Sequence, residues 1–344
     1  MGSSGLELQI FNKTQKMIRN TNVDDTTNAL PFAKHVLPEV PCNLFGEEIN
    51  EIKSFKERFP ILPFSVINTG ENKWRQRKMK WNKLIGDTGE SREMTFTRGT
   101  GKKSSENFAK KVSYGGYDSF GNTVSILDAC LAELVIDWYS LKGWSCFDPF
   151  AGDSVFGFVA GVKDRLFTGI ELRKEQSDLN QKRLLDNGLK GLYICDDGVN
   201  INNHIKDESQ DFMFSCPPYF DLEVYSDLPN DASNQKNYNS YIKIMNTILS
   251  NSIKCLKENR FCVIVIGDVR DKKTGFYYSL ESDIIKIMQS NNIGLYQELI
   301  IQTPIGTKAF AANNIWQFRK IGKIHEKVLI FYKGNQKEIK NIFK

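Results

Sequence analysis

The sequence predicts an α/β chain: a mostly parallel sheet with an antiparallel terminal strand, preceded by a mixed, basic N-terminal region. Three observations predict it. First, Ser145-Cys146-Phe147 runs into the acidic turn Asp148-Pro149-Phe150-Ala151-Gly152-Asp153-Ser154 and then an apolar helical stretch, 155–162. Strand, tight turn and helix in that order mark the place where an open α/β sheet binds a nucleoside. Second, Asp211-Phe212-Met213-Phe214-Ser215 reads as another buried strand, broken by Cys216-Pro217-Pro218-Tyr219-Phe220. Third, Val328-Leu329-Ile330-Phe331-Tyr332 follows a strand at 295–301 and a long basic loop, so it reads as the returning half of a hairpin at the sheet edge.

Composition narrows the class. The 344 residues are 40% hydrophobic and 25% charged, ordinary values for a soluble protein with room for one large domain and an appendage. No apolar run approaches the roughly 20 residues that span a bilayer, and no signal peptide is visible. The opening 1–6 has Leu6 where a myristoylation signal takes Ser or Thr, and is set aside as a leader. The seven cysteines show no C-x-x-C spacing and only three histidines accompany them, which argues against a metal site. Several cysteines lie inside apolar runs, as reduced thiols of a cytosolic protein do.

Residues 1–50 are polar and aperiodic and are expected to form a loosely ordered arm. Residues 51–120 form the basic region. Within it, 60–67 reads as an extended segment held by prolines. The stretch Lys73-Trp74-Arg75-Gln76-Arg77-Lys78-Met79-Lys80-Trp81 reads as a helix with its two tryptophans on one side. Twelve basic residues stand against four acidic ones between Lys73 and Lys111, a local surplus larger than the whole chain's net charge of +5. Arg75, Arg77 and Lys78, with Lys102 and Lys103 in a glycine-rich loop, are the candidate phosphate contacts, joined by Lys308 and Arg319 from the loop at 303–323. A solvated helix pinned to the core by its tryptophans is the competing reading. The glycine-rich loop lacks the spacing of a Walker A loop.

The body, 121–344, opens at Ser125-Ile126-Leu127-Asp128 and a helix at 129–139 with Leu131, Leu134, Val135 and Trp138 at core spacing. Asp128 suits the N-cap of that helix. The second strand, 166–171, ends in Glu171, which stands 23 residues past Asp148. Dinucleotide folds place a ribose-binding carboxylate at about that distance. A helix at 174–189 leads to a third strand ending in Asp196-Asp197. Beyond the proline turn, 221–230 carries three acids and reads as a mobile loop over the site whose charge repels phosphate. Helices at 238–256 and 278–291 bracket the most apolar strand, 260–268.

The proline turn carries the chemistry. Two prolines fix the backbone and withdraw two N–H groups, leaving the Cys216 and Pro217 carbonyls for another partner. With Tyr219 and Phe220 beside them, they suit a planar group bearing an amine, such as a nucleobase. Alone, the turn reads equally well as a proline-terminated strand beside core aromatics.

The order of Asp148-Pro149-Phe150-Ala151-Gly152 and Cys216-Pro217-Pro218-Tyr219, 68 positions apart, resembles the S-adenosylmethionine-dependent amino methyltransferases of DNA. These carry Asp-Pro-Phe-x-Gly at the first strand and a Pro-Pro-aromatic tetrapeptide at the fourth. The likeness covers about 125–335 and is strongest to stand-alone enzymes carried by phages and mobile elements. It implies a Rossmann-like methyltransferase fold, with S-adenosylmethionine contacting Ser125, Asp128, Asp148, Phe150 and Gly152. Glu171 would hold the ribose and Asp196 the adenine amine, with Asp197 as the alternative. It also implies Cys216, Pro217, Pro218 and Tyr219 as catalytic residues acting on N6 of adenine or N4 of cytosine in double-stranded DNA. A cytoplasmic restriction-modification or phage setting follows from the same likeness. The chain departs from the family at Cys216, where Asp, Asn or Ser is usual. A thiol accepts hydrogen bonds weakly, and Asp221 is the neighbouring substitute. The family's separate recognition domain is missing between the motifs. A methyltransferase of RNA or of a protein amide and a catalytically silent DNA-binding relative remain as alternatives. A nicotinamide dehydrogenase is disfavoured because G-x-G-x-x-G is absent after the first strand.

Overall fold

The computed structural model describes residues 61, 63–86, 127–306 and 315–343, with the backbone of 96–97. The 1–50 arm, Ser125, Lys102, Lys103 and Lys308 lie outside the described residues. In chain order the elements are β1 (Val66–Asn68), α1 (Asn72–Ile85), β2 (Phe96–Thr97), α2 (Ala129–Tyr139), β3 (Ser145–Asp148) and α3 (Val155–Val162). Next come β4 (Leu166–Glu171), α4 (Lys174–Asp186), β5 (Gly191–Cys195), β6 (Gln210–Ser215), β7 (Glu223–Val224) and α5 (Tyr238–Cys255). The chain ends with β8 (Leu256–Ile266), α6 (Leu280–Ser290), β9 (Gly294–Gln302), β10 (His325–Lys333) and the single turn α7 (Ile339–Ile342).

Eight strands form one sheet in the order β1-β9-β10-β8-β6-β3-β4-β5. All pairings are parallel except those of β10 with β8 and β9. This is the Rossmann-like arrangement with one antiparallel strand. From β3 the chain moves outward through β4 and β5, then returns to place β6 on the other flank of β3. The crevice at such a reversal, outside the carboxyl ends of the strands, is where open α/β sheets bind ligands. Apolar layers cover both faces: Trp74, Phe156 and Phe158 belong to one, Met245, Leu249 and Ile284 to the other. No helix among the described residues is long and apolar enough to cross a membrane.

The terminal hairpin is not at the sheet edge. β10 is threaded between β8 and β9, and β1 adds in parallel beyond β9, pairing Val66 with Ile300 and Asn68 with Gln302. The reason is burial: Val328 through Tyr332 are all at most 5% exposed, and such a run needs partners on both edges and cover on both faces.

The segment 63–86 is likewise built into the body. Trp74 and Trp81 are buried where α1 crosses α2, and between them Arg77 is only 5% exposed. Its guanidinium donates from Nε to Glu133 Oε2 at 3.0 Å and from Nη2 to Glu133 Oε1 at 2.7 Å, while Trp81 Nε1 donates to Oε2 at 2.7 Å. Arg77 is therefore corrected from a phosphate contact to an interior anchor. Its place midway between the tryptophans puts it on the packed side of the helix.

Candidate active site

Four parallel strands deliver their ends to the crevice. At the end of β3, Asp148 is buried; its Oδ1 accepts from the Phe150 amide at 2.9 Å and from Ser215 Oγ at 2.6 Å. The hydroxyl at the end of β6 thus ties the acidic turn to the proline turn. Burial pushes the Asp148 carboxyl up to about 7. Gly152 closes the turn at φ +55°, a conformation that costs other residues strain. A Cβ there would meet only the Phe150 carbonyl oxygen, at 3.6 Å, so the space beyond the turn is open. The Gly152 amide donates to Glu171 Oε2 at 2.9 Å, and its carbonyl accepts from Asn180 Nδ2 at 2.9 Å. Glu171, at the end of β4, also accepts from the Arg173 amide at 2.9 Å. Burial raises its carboxyl to about 7 as well. Phe150 is half-buried against the apolar layer under α5.

After β5, Asp196 Oδ1 accepts from the Asp197 amide at 2.7 Å and Asn200 Nδ2 at 2.9 Å, and Oδ2 lies 2.5 Å from His204 Nε2. Burial opposes its charge, but these donors outweigh burial and hold the carboxyl below its ordinary range. Asp197 Oδ1 caps the following turn through the Val199 amide at 3.0 Å, and Oδ2 accepts from Asn230 Nδ2 at 2.7 Å. The loop read as mobile is therefore tied down at Asn230. It is held again by Ser226 Oγ donating to Asp231 Oδ2 at 2.7 Å, and by pairing of β7 with β2. Asp128 is the N-cap of α2: Oδ1 accepts from the Cys130 amide at 2.9 Å, and Oδ2 from Trp74 Nε1 and Lys78 Nζ, each at 3.1 Å.

The proline turn has its own supports. The Pro218 carbonyl accepts from Tyr241 Oη at 2.7 Å. Among the described residues no hydrogen bond reaches the Cys216 or Pro217 carbonyl. The Tyr219 ring packs on Gly267, where a Cβ would lie 2.8 Å from ring carbon Cε2. Its hydroxyl is 3.3 Å from Cys216 Sγ. Burial raises both the Cys216 thiol and the Tyr219 phenol, so both are neutral near pH 7. Phe220 adopts φ +49° and is buried among Tyr238, Tyr241 and Tyr278, with ring centroids 5.7, 5.4 and 5.3 Å away. Asp221 Oδ1 is buried without a hydrogen-bond partner among the described residues, while Oδ2 pairs with Lys272 Nζ at 3.1 Å.

Asp153, Ser215, Tyr241 and Gly267 escape the sequence reading. Asp153 Oδ2 accepts from the Leu127 amide at 3.2 Å, joining the acidic turn to the start of α2. Its place at a strand-to-helix turn is the signal that marks it. The roles of Tyr241 and Gly267 depend on contacts with residues more than twenty positions away. On the basic side, Arg75 is exposed, Lys78 pairs with Asp128, and Arg319 is exposed at φ +53° with its guanidinium 5.1 Å from the Trp316 ring. A shallow depression of about 370 Å³ between Tyr296 and Tyr332 lies at the opposite rim, lined by no charged residue.

No protein-family model matches the chain. No curated protein matches it either. Among solved structures it is similar to TrmN from Thermus thermophilus, with 11% identity and TM-score 0.42 over 60% of this chain and 49% of that one. It is also similar to a SAM-dependent methyltransferase from Methanosarcina mazei, with 14% identity and TM-score 0.40 over 59% of this chain and 98% of that one. A proposed DNA modification methylase, again from Thermus thermophilus, shows 15% identity and TM-score 0.31 over 40% of this chain and 51% of that one. The chain spans about half the length of the first and the third. At these TM-scores the likenesses carry no argument about activity.

Proposed function

We propose that the chain is an S-adenosylmethionine-dependent DNA methyltransferase acting on the exocyclic amine of an extruded adenine or cytosine. The hydrogen bond from Ser215 Oγ to Asp148 Oδ1, 2.6 Å, carries the reading. It sets an acidic Asp-Pro-Phe-x-Gly turn beside a Pro-Pro-Tyr turn at the reversal point of a parallel sheet. The residues fit the cofactor: carboxylates at three neighbouring strand ends accept from hydroxyls and amines and complement a cationic sulfonium. The open side of Gly152 leaves room for a ligand to approach the backbone. Asp148, Glu171 and Asp196 would hold it, with Phe150 as an apolar wall. When bound, S-adenosylmethionine supplies an electrophilic methyl group.

The chain's own residues position the acceptor. The Cys216 and Pro217 carbonyls take the amine hydrogens and turn the nitrogen lone pair out of conjugation with the ring. Tyr219, fixed by Gly267 and Cys216, is the stacking surface for the base, and Tyr241 braces the turn from behind through Pro218. Orientation and fixed dipoles are the main effects. The amine sheds its proton as its new bond forms. A neutral thiol at Cys216 does not compete for the methyl group, since the thiolate is the nucleophilic form.

The test is incubation with S-adenosylmethionine and unmethylated duplex DNA, followed by digestion and mass spectrometry of the nucleosides. N6-methyladenine or N4-methylcytosine is expected. Cofactor binding with neither product would overturn the assignment to DNA.

A further inference from the structure

We propose that the rim beside the proline turn carries a stacking platform for unpaired DNA, formed by the hairpin 269–278 and the turn 315–320. The proposal rests on the DNA reading above for the identity of the strand. Four large rings face water here: Phe276 is 76% exposed, Tyr277 46%, Trp316 52% and Phe318 68%. Each of the last three has a cation at its ring. The Arg270 guanidinium lies 3.5 Å from the Tyr277 centroid, that of Arg319 5.1 Å from Trp316, and Lys320 Nζ 5.7 Å from Phe318.

The two segments adjoin one another and the site. A Cβ on Gly275 would stand 3.3 Å from Lys320 Nζ, and Lys323 Nζ pairs with Asp268 Oδ2 at 2.7 Å at the base of the hairpin. Asp268 directly follows Gly267, on which the Tyr219 ring packs. The rings are held on ordered backbone. Asp271 accepts from the Lys273 amide at 2.8 Å and Thr274 Oγ1 at 2.9 Å, and the Asp271 amide donates to the Phe276 carbonyl at 2.8 Å. In the second segment the Arg319 amide donates to the Trp316 carbonyl at 2.7 Å.

Ring faces interleaved with cations match the two surfaces of an unstacked strand, base faces and phosphates. An intact duplex shows its phosphates and base edges but no internal base faces, so it leaves such rings unused. A protein partner would favour contiguous apolar area, whereas three of these four rings are broken up by cations. Next to a turn proposed to receive an extruded base, the occupant is the unpaired stretch flanking that base.

The experiment measures fluorescence anisotropy of labelled oligo(dT) and of a duplex of equal length, on the full chain without cofactor. Binding of oligo(dT) is expected, with quenching of the exposed Trp316 that disappears in Trp316→Phe. Phe276→Ala and Phe318→Ala should each weaken oligo(dT) binding about tenfold, the effect of losing one stacked base. Leu185→Ala, on the outer helix α4 and 68% exposed, should leave binding unchanged. No effect of either phenylalanine on oligo(dT) binding, or loss of duplex and oligo(dT) binding to the same degree, would overturn the platform. Tighter binding of oligo(U) would overturn its assignment to DNA. The assay involves no methyl transfer, so its failure leaves the methyltransferase reading standing, and an inactive enzyme leaves the platform standing.

Discussion

Arg77→Met separates the two roles that a basic residue in α1 can have. The substitution keeps the side-chain length and removes two buried hydrogen bonds to Glu133, 3.0 and 2.7 Å long. Breaking a buried ion pair from one side costs about 3–5 kcal/mol, because a buried charge is left uncompensated. The lower end applies here, since Glu133 keeps Trp81 Nε1 at 2.7 Å and Lys163 Nζ at 3.8 Å. A loss of about 3 kcal/mol lowers Tm by roughly 4–6 °C in a chain of this size. Adding Glu133→Gln removes the stranded charge while its amide oxygen still accepts from Trp81, so the double variant should recover at least half the loss. Thermal and urea unfolding measure both. DNA binding should be unaffected once the protein is folded. A variant that melts with the wild type yet loses DNA affinity would refute the reasoning and return Arg77 to the phosphate surface.

Three further outcomes are expected. Ser215→Ala leaves Asp148 Oδ1 with only the Phe150 amide, and should cost about 1–3 kcal/mol in unfolding while lowering kcat/KM; an active, equally stable variant would remove the tie between the turns from the argument. The Asp148 and Glu171 carboxyls, raised by burial to about 7, are expected to titrate on cofactor binding if they line its site. Their contribution to stability is whole below about pH 4, the ordinary carboxylate range, and is lost as pH rises to about 7. A cationic ligand favours the ionised forms, so calorimetry in two buffers at pH 6.5 should show proton release with S-adenosylmethionine and less with neutral S-adenosylhomocysteine; equal release would sink the assignment. Finally, Arg75, Lys80 and Lys83 are solvent-exposed on α1. Changing all three to Ala should flatten the salt dependence of duplex binding by about one unit of slope per lost phosphate contact; an unchanged slope would show that this helix does not touch DNA.

The parallel sheet was legible because its signals are local. Each of 145–148, 166–171 and 210–215 is a short apolar run ending in a polar residue at a turn, and the structure puts those ends in one crevice. Cap chemistry was legible too: Asp128 before an apolar helix is the N-cap it looked like. Features requiring partners far along the chain were not. Nothing near Arg77 announces Glu133, 56 positions later, and charge counting treats a buried arginine like an exposed one. Nor does Val66 announce pairing with Ile300, so β1 looked like part of a separate region. The acids of 221–230 looked like a free lid because Asn230, which donates to Asp197, carries no charge to mark it.

The departure at Cys216 is coherent once Ser215 is given its role. In this chain the hydroxyl of the turn faces inward to Asp148, and the next side chain is a thiol directed at Tyr219 Oη, 3.3 Å away. Under the proposed function, recognition of the amine would fall to two backbone carbonyls, whose positions the prolines fix whatever side chain stands at 216. On that reading the side chain is expected to tune the reaction instead of enabling it. Cys216→Ser replaces a weak acceptor with a stronger one of similar size and keeps a contact to Tyr219. One added net hydrogen bond of about 1 kcal/mol in the transition state corresponds to roughly a fivefold rise in kcat. Cys216→Asp should do worse than Ser at neutral pH: the site is buried and Asp148 and Glu326 disfavour another negative charge there. Single-turnover rates on the preferred base decide the matter. A serine variant slower than the wild type by tenfold or more would mean that the thiol itself, and not the pair of carbonyls, holds the amine.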